Sequence, residues 1–305
     1  MTAKITVVIP TLAQASRATA LWTAIESCLA QRRTTVAVIV AINGTRYDDA
    51  IRRELERSPR LMTSYDPVGN LPRAIAGGRS RVGTEFFTFL DDDDYMLPDT
   101  LAERVARLAR DETTDVMVAN GYRYSISDSS LLFGGERAYQ EMTRDPLKAL
   151  FKVNWLASCG GIFRSATIPA EFFNDSVQYF EWTYFAFRLA SQYRVGFDPT
   201  GTYVICDSPE SLSKAPHGKP AELLLWSKVS PLLGRRPDLR STLRTRVADA
   251  HHSCSEHFRQ LGAARGAWKH HALSLVASPG ASLRYASYTR HLMADFFRLN
   301  RKSTN

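Results

Sequence analysis

No apolar run approaches the roughly 18–20 residues that a membrane-spanning helix requires; the longest, Ile5–Ile9 and Val36–Ile42, are strand-sized. Cysteine is scarce as well. Cys28, Cys159, Cys206 and Cys254 lie far apart and show no CxxC spacing. That excludes a zinc site or a disulfide frame and reads as buried thiols in a reducing cytoplasm. The opening Met1-Thr2-Ala3-Lys4 runs directly into a strand, so no signal peptide is expected and the protein is expected to be cytoplasmic. Internal repeats and low-complexity tracts are missing too. What remains is ordinary globular composition, with 44% hydrophobic and 23% charged residues in 305, enough for a sizeable core. Collagenous, mucin-like and wholly disordered chains are excluded, and the length suits one large domain or two unequal ones.

The formal charge of +8 is unevenly placed. Residues 1–215 hold 24 Lys+Arg and 26 Asp+Glu, whereas residues 216–305 hold 15 and 5. The excess therefore belongs to the C-terminal third. Such a basic region is either a solvated helical surface or a contact for an anionic partner. Because interleaved aromatic and basic nucleic-acid motifs are absent, no nucleic acid is expected, and peripheral contact with the anionic inner face of a membrane is the favoured partner.

Strand and helix signals alternate through the first 120 residues. Ile5–Ile9, Val36–Ile42, Leu61–Tyr65, Glu85–Leu90 and Asp115–Ala119 read as strands. Ala18–Gln31, Asp49–Glu56, Arg73–Arg81 (weakened by Gly77-Gly78) and Pro98–Arg110 carry helical periodicity. Alternation with uninterrupted apolar strands implies an α/β fold with a parallel sheet covered by helices on both faces. Ligands of such sheets bind at the carboxyl ends of the strands, which brings Pro10-Thr11, Asn43-Gly44 and Asp91–Asp94 to one edge. Beyond Tyr122 the pattern loosens, with a helix over Phe180–Gln192 and a strand over Thr202–Cys206. A first domain over 1–213, a linker over 214–220 and a basic helical region over 221–305 are expected, the last with helices at Glu222–Val229, Leu239–Leu261, Ala263–Val276 and Ser282–Arg298.

Most of the chemistry lies in Asp91-Asp92-Asp93-Asp94, directly after an apolar strand. Close carboxylate pairs repel by roughly 3–4 kcal/mol at an effective dielectric near 20. Either the run is a solvated acidic turn, or a cation offsets the repulsion. Mn²⁺ or Mg²⁺ accepts such oxygens and commonly bridges to substrate phosphates. Alternate residues share a side, so Asp91 and Asp93 are the natural pair.

The stretch Thr84–Pro98, with Phe89-Leu90-Asp91-Asp92-Asp93-Asp94 at its centre, resembles the signature of the family 2 glycosyltransferases of the GT-A fold. Val7-Val8-Ile9-Pro10-Thr11 is similar to that family's first strand, and Ser27–Gln31 to the end of its first helix. Cys159–Arg164 is similar to a later loop and strand. Glu181–Ala190 resembles the helix that bears its general base. Together these cover roughly Ile5–Ser213.

The resemblance implies a mostly parallel GT-A-like sheet flanked by helices with a C-terminal helical appendage. It also implies an inverting, metal-dependent transfer of a sugar from a nucleoside diphosphate to an acceptor hydroxyl, with a glycan or lipid-linked acceptor in cell-envelope or surface glycan synthesis. Asp93 and Asp91 would hold the metal, Asp92 would lie near the ribose, and Asp94 would hold the following turn. Pro10, Thr11, Arg17 and Asn43 would meet the nucleotide, and Arg73 and Arg79 would either meet the phosphates or be ordinary surface arginines. Glu181 would be the base, or else only complement the dipole of its helix. The chain departs from the family in four places. Ala15-Ser16-Arg17 follows a two-residue insertion where Tyr-Asn-Arg usually comes directly after Pro-Thr. Trp182 follows Glu181 where an aspartate is usual, and either stacks on an acceptor sugar or packs in the core. Asn43 stands for a base-reading aspartate, and its amide both donates and accepts. The late element before Ser211-Leu212-Ser213 offers Asp207, with His217 nearby in the linker. Two other readings remain open: a nucleotidyltransferase, although no glycine-rich phosphate cradle follows the first strand, and a non-catalytic nucleotide-sugar-binding protein.

Overall fold

A computed structural model of the chain describes residues 4–125, 128–207, 218–234 and 236–294. It forms two compact units, Met1–Pro209 and Glu210–Asn305.

The first unit opens with β1 (Ile5–Thr11), α1 (Ala18–Leu29), β2 (Val36–Asn43), α2 (Asp49–Arg57), β3 (Met62–Asp66), α3 (Leu71–Arg79) and β4 (Phe86–Phe89). Every residue of β1 and β4 is buried, as their unbroken apolar composition requires of strands covered on both faces. The helices start where side chains satisfy their free N–H groups. Asp48 accepts from the amides of Ala50 and Ile51 at 2.8 and 3.1 Å, and Asn70 accepts from Arg73 at 3.1 Å with Pro72 just inside the helix. The sequence reads Gly77-Gly78 as a weak point of α3. The structure gives Gly78 a reason: a Cβ there would run into the Val8 side chain, so glycine lets α3 settle onto β1 and β2.

The chain continues through β5 (Tyr95–Met96), α4 (Thr100–Arg110), β6 (Val116–Ser125), β7 (Asp128–Leu131), α5 (Gly135–Arg144), α6 (Pro146–Ala149), β8 (Gly161–Arg164), α7 (Glu181–Gln192) and β9 (Val195–Cys206). All nine strands of the described residues join one sheet, ordered β3-β2-β1-β4-β8-β6-β9-β5 with β7 paired to β6. The β3-β2-β1-β4 half is parallel, as is β6 with β9. β8 runs antiparallel to both β4 and β6. The expected last strand, Thr202–Cys206, is only the end of β9. Pro199 and Gly201 read as breaks, yet the register of β6 against β9 shifts at Ala119/Asn120 and Asn120/Tyr122, which absorbs them.

Arg104 of α4 is fully buried. Its Nη2 donates to the carbonyls of Cys159 and Gly160 at 3.1 and 2.7 Å, tying α4 to the loop before β8.

The second unit comprises α8 (Gly218–Leu232), α9 (Pro237–Gln260), α10 (Ala264–Ala277) and α11 (Pro279–Tyr285). The helix expected over Ser282–Arg298 is interrupted: a two-residue turn at 286–287 ends α11, residues 288–294 are helical again, and 295–298 lie outside the described residues. The residues of the expected boundary and linker mostly lie outside the described ones, and Gly218–Pro220 open α8. Histidines pack where α9 and α10 meet: His251 and His270 share a 3.0 Å Nδ1–Nδ1 hydrogen bond, and His252 stacks on Tyr285. Burial lowers the pKa of His251, His252, His270 and His271. A histidine lowered in the folded state is protonated first when unfolded, so its stabilising contribution is complete above the ordinary value and lost as pH falls below it. Between pH 7.5 and 5.5 the melting temperature of the unsubstituted chain should therefore fall relative to that of His270→Phe, a difference that isolates the histidines from the raised carboxyls of the first unit.

Candidate active site

The carboxyl ends of β1, β2, β3 and β4 form one edge. Register sets Asn43 beside Asp66, and the Asn43 Nδ2 donates to the Thr11 carbonyl at 3.1 Å. Thr11 and Asn43 are both buried. After Thr11 the chain turns at Ala13, whose φ of 48° is left-handed, and passes through a 3-10 turn at Ala15–Arg17. That turn delivers the Arg17 guanidinium to the acidic run at the end of β4.

Each aspartate of the run has its own environment. Asp92 is buried, accepts the Thr11 hydroxyl at 2.6 Å and pairs closely with Arg17 Nη2. Asp93 receives the same Nη2 at 2.9 Å. Asp91 is hydrogen-bonded by Ser158; burial, followed by the charge of Asp93, pushes its pKa up. Asp94 is buried and accepts the Cys206 amide at 2.9 Å, which fastens the end of β9 to the run. Burial raises its carboxyl strongly, with Asp91 adding to the shift. The solvated acidic turn is thus not what forms. Four carboxylates crowd a strand end with one guanidinium among them.

Other expected site residues are distributed unequally. Arg73 stands at the same edge, exposed, with its Nε donating to Asp66 at 2.8 Å. Arg79 needs a correction. It is buried, with Nη2 donating to the Ser165 and Ile168 carbonyls at 3.2 and 2.7 Å and the guanidinium 4.2 Å from the centre of the Phe87 ring. It clamps α3 to the segment after β8 and does not face the strand ends. Pro10 lies within buried β1. Asp207 follows β9 directly after Cys206, its amide bonded to the Tyr124 carbonyl at 2.9 Å. Ser211–Ser213 and His217 lie outside the described residues.

Glu181 opens α7 and is buried. Its Oε1 accepts the amide of Tyr179, a residue held at φ 69°, at 3.2 Å, and burial raises its pKa. Among the described residues it has no hydrogen bond or ion pair with the acidic run. The link is indirect. Trp182 packs against Phe89 and Phe185 with ring centroids 5.2 and 5.6 Å apart, which seats the start of α7 against β4 two residues before Asp91. Trp182 therefore packs against the core while remaining only partly buried.

Ser158 and Asp66 were not anticipated. Asp66 ends a strand at the same edge, so the strand-end rule applied to β3 finds it; Ser158 sits in a loop with no local signal.

A divalent cation can be tested against this geometry. Among the described residues, no three His, Cys, Asp or Glu side chains form a metal cage. Asp91 and Asp93 repel each other across a shared strand end, which fits a hard cation held by two carboxylates and completed by water and substrate phosphates.

Residues 6–164, just over half of the chain, match the model of the family Glycosyl transferase family 2. The chain belongs to this glycosyltransferase family. Solved structures give the same fold. Residues 1–349 of S. aureus TarS align at TM-score 0.54 and 15% identity, covering 90% of this chain and 81% of that one. The same TarS segment in complex with UDP-GlcNAc aligns at 0.54 and 13%, covering 87% and 89%. The mannosyltransferase PcManGT of Pyrobaculum calidifontis, in complex with GDP-Man and Mn²⁺, aligns at 0.51 and 17%, covering 98% and 83%. At these identities the likeness establishes the GT-A fold of this glycosyltransferase and nothing finer. No curated protein matches the chain. No helix of the described residues is long and apolar enough to cross a membrane.

Replacing Arg79 by Met should lower stability by about 2–4 kcal/mol through lost charged hydrogen bonds and leave nucleotide affinity unchanged; denaturant unfolding and calorimetric titration would measure both.

Proposed function

We propose that this protein transfers a sugar from a nucleoside diphosphate donor to an acceptor hydroxyl with inversion, in cell-envelope or surface glycan synthesis. The observation that carries this reading is the convergence of Thr11, Arg17, Asn43 and Asp91–Asp93 on the carboxyl edge of four parallel strands. The UDP-GlcNAc and GDP-Man bound to structures of the same fold support the donor class.

Pro10, Thr11 and Asn43 hold the base at the ends of β1 and β2, and Asp92 lies toward the ribose. Arg17 and the exposed Arg73 meet phosphate, since a guanidinium fork matches its oxygens. Asp91 and Asp93 hold Mn²⁺ or Mg²⁺, which when bound would neutralise charge developing on the departing diphosphate. Glu181 takes the proton of the attacking hydroxyl, a role typically worth 10²–10⁴-fold. Its burial makes it a stronger base than a solvated carboxylate. The acceptor is a glycan or lipid-linked sugar, and the basic C-terminal unit meets an anionic membrane. Arg265, Lys269, Leu273 and Val276, all exposed along one side of α10, support that contact.

Nucleoside diphosphates should raise the melting temperature in the presence of Mn²⁺ and fail to do so without it; a panel of bases would identify the donor nucleotide. Product analysis should find nucleoside diphosphate, whereas pyrophosphate would favour nucleotidyl transfer. Asp93→Ala should abolish turnover. Glu181→Gln should lower kcat by roughly 10²–10⁴-fold and remove the acid limb of the pH profile. In the unsubstituted protein that limb should lie above the ordinary carboxylate range, activity being lost as pH falls through the raised value. Flotation with anionic vesicles at low salt should carry the protein, and zwitterionic vesicles should not.

A further inference from the structure

Arg17 is the one cation bonded within the acidic run, among the described residues, and it bonds in an unusual way. A single nitrogen, Nη2, serves two carboxylates, close to Asp92 Oδ1 and 2.9 Å from Asp93 Oδ2. The Nε of the same guanidinium is buried and has no hydrogen-bond partner. This pose suits the aspartates better than it suits the arginine, because a buried N–H without a partner is unfavourable. The two carboxylates also differ in access. The Asp92 side chain is 9% exposed and carries a second bond from Thr11, whereas that of Asp93 is 23% exposed and, among the described residues, is bonded by Arg17 alone. Asp93 is the half of the pair that can be released.

We propose that Arg17 is an internal counter-ion that occupies Asp93 in the free protein, so that the divalent cation and the donor diphosphate enter together rather than in sequence. This rests on the reading of Asp91 and Asp93 as the cation ligands. In the free protein a cation must compete with a guanidinium already on Asp93, and the displaced Arg17, half-buried with its Nε enclosed, would be left with one bonded carboxylate, Asp92. A diphosphate removes that penalty. It offers oxygens to the Arg17 fork, including its unpartnered Nε, and supplies the remaining ligands for the cation. Each ligand thereby improves the site for the other, and the coupling must be reciprocal. Arg17 is a positioning residue toward the cation and a direct contact only toward phosphate.

Titration of the full-length protein with Mn²⁺ alone, followed by loss of the free-ion paramagnetic resonance signal, tests this. The unsubstituted protein should bind Mn²⁺ weakly, and Arg17→Ala should bind it on the order of tenfold more tightly, within the range of typical site-to-site coupling. The gain should vanish in the double variant Arg17→Ala/Asp93→Asn. For nucleoside diphosphate, tested as UDP and GDP, Arg17→Ala should weaken affinity and reduce its dependence on Mn²⁺. A purely structural role for Arg17 would not raise affinity for a metal. Should Arg17→Ala fail to fold by circular dichroism, Arg17→Gln serves the same comparison. Equal or weaker Mn²⁺ binding by the variant overturns the counter-ion role; if the parent still transfers sugar with Mn²⁺, the functional reading survives that result. Absence of Mn²⁺ binding in every form, with nucleotide present, overturns both.

Discussion

Four consecutive carboxylates at the mouth of a buried strand are the constraint around which the first unit is organised. Such a run is expelled into water unless its charge is offset, and here it is not expelled: Asp92 and Asp94 are buried. Each is compensated by a different means. Asp92 has the Thr11 hydroxyl and Arg17, Asp94 has the Cys206 amide and a raised affinity for its proton, and Asp91 has Ser158. The compensating groups come from the ends of β1, β9 and the loop before β8. The run therefore draws together elements far apart in sequence, and the fold and the site are one electrostatic problem.

The parallel half of the sheet follows from this arrangement. Buried strands β1, β2 and β4 point their carboxyl ends the same way, so every polar residue that ends them meets at a single edge. α3 and Arg79 hold that half to the segment after β8, while Trp182 anchors α7 on Phe89. The aromatic contact gives Glu181 a fixed place relative to β4 without a polar contact to the aspartates. With no ionic partner in the cluster, the Glu181 carboxylate keeps the raised basicity that burial gives it, which suits the proposed role of base.

Much of this was legible in the residues. Unbroken apolar strands and helical spacing gave β1–β4 and α1–α4 nearly in full, and the strand-end rule joined Thr11, Asn43 and the aspartates. What was not legible depended on tertiary context. β9 was truncated because Pro199 and Gly201 look like breakers until a register shift against β6 absorbs them. β8 joined the middle of the sheet antiparallel, which no local pattern specifies. Arg79 reads as either a phosphate ligand or a surface arginine, because a lone arginine carries no mark of where its guanidinium points; in the fold it is buried against two carbonyls and a ring. Trp182 leaves two readings open in the sequence; the fold shows it packed on the Phe89 and Phe185 rings and only partly buried.

The central claim is that the acidic strand end receives a cation together with a nucleoside diphosphate. Anomalous diffraction at the manganese edge, from crystals grown with Mn²⁺ and UDP or GDP, tests it most directly. The account predicts a single strong peak between Asp91 and Asp93, within bonding distance of a phosphate oxygen and with Arg17 turned from Asp93 toward the diphosphate. A peak elsewhere, or a nucleotide bound at this edge with Arg17 still on Asp93 and no manganese beside it, would contradict it.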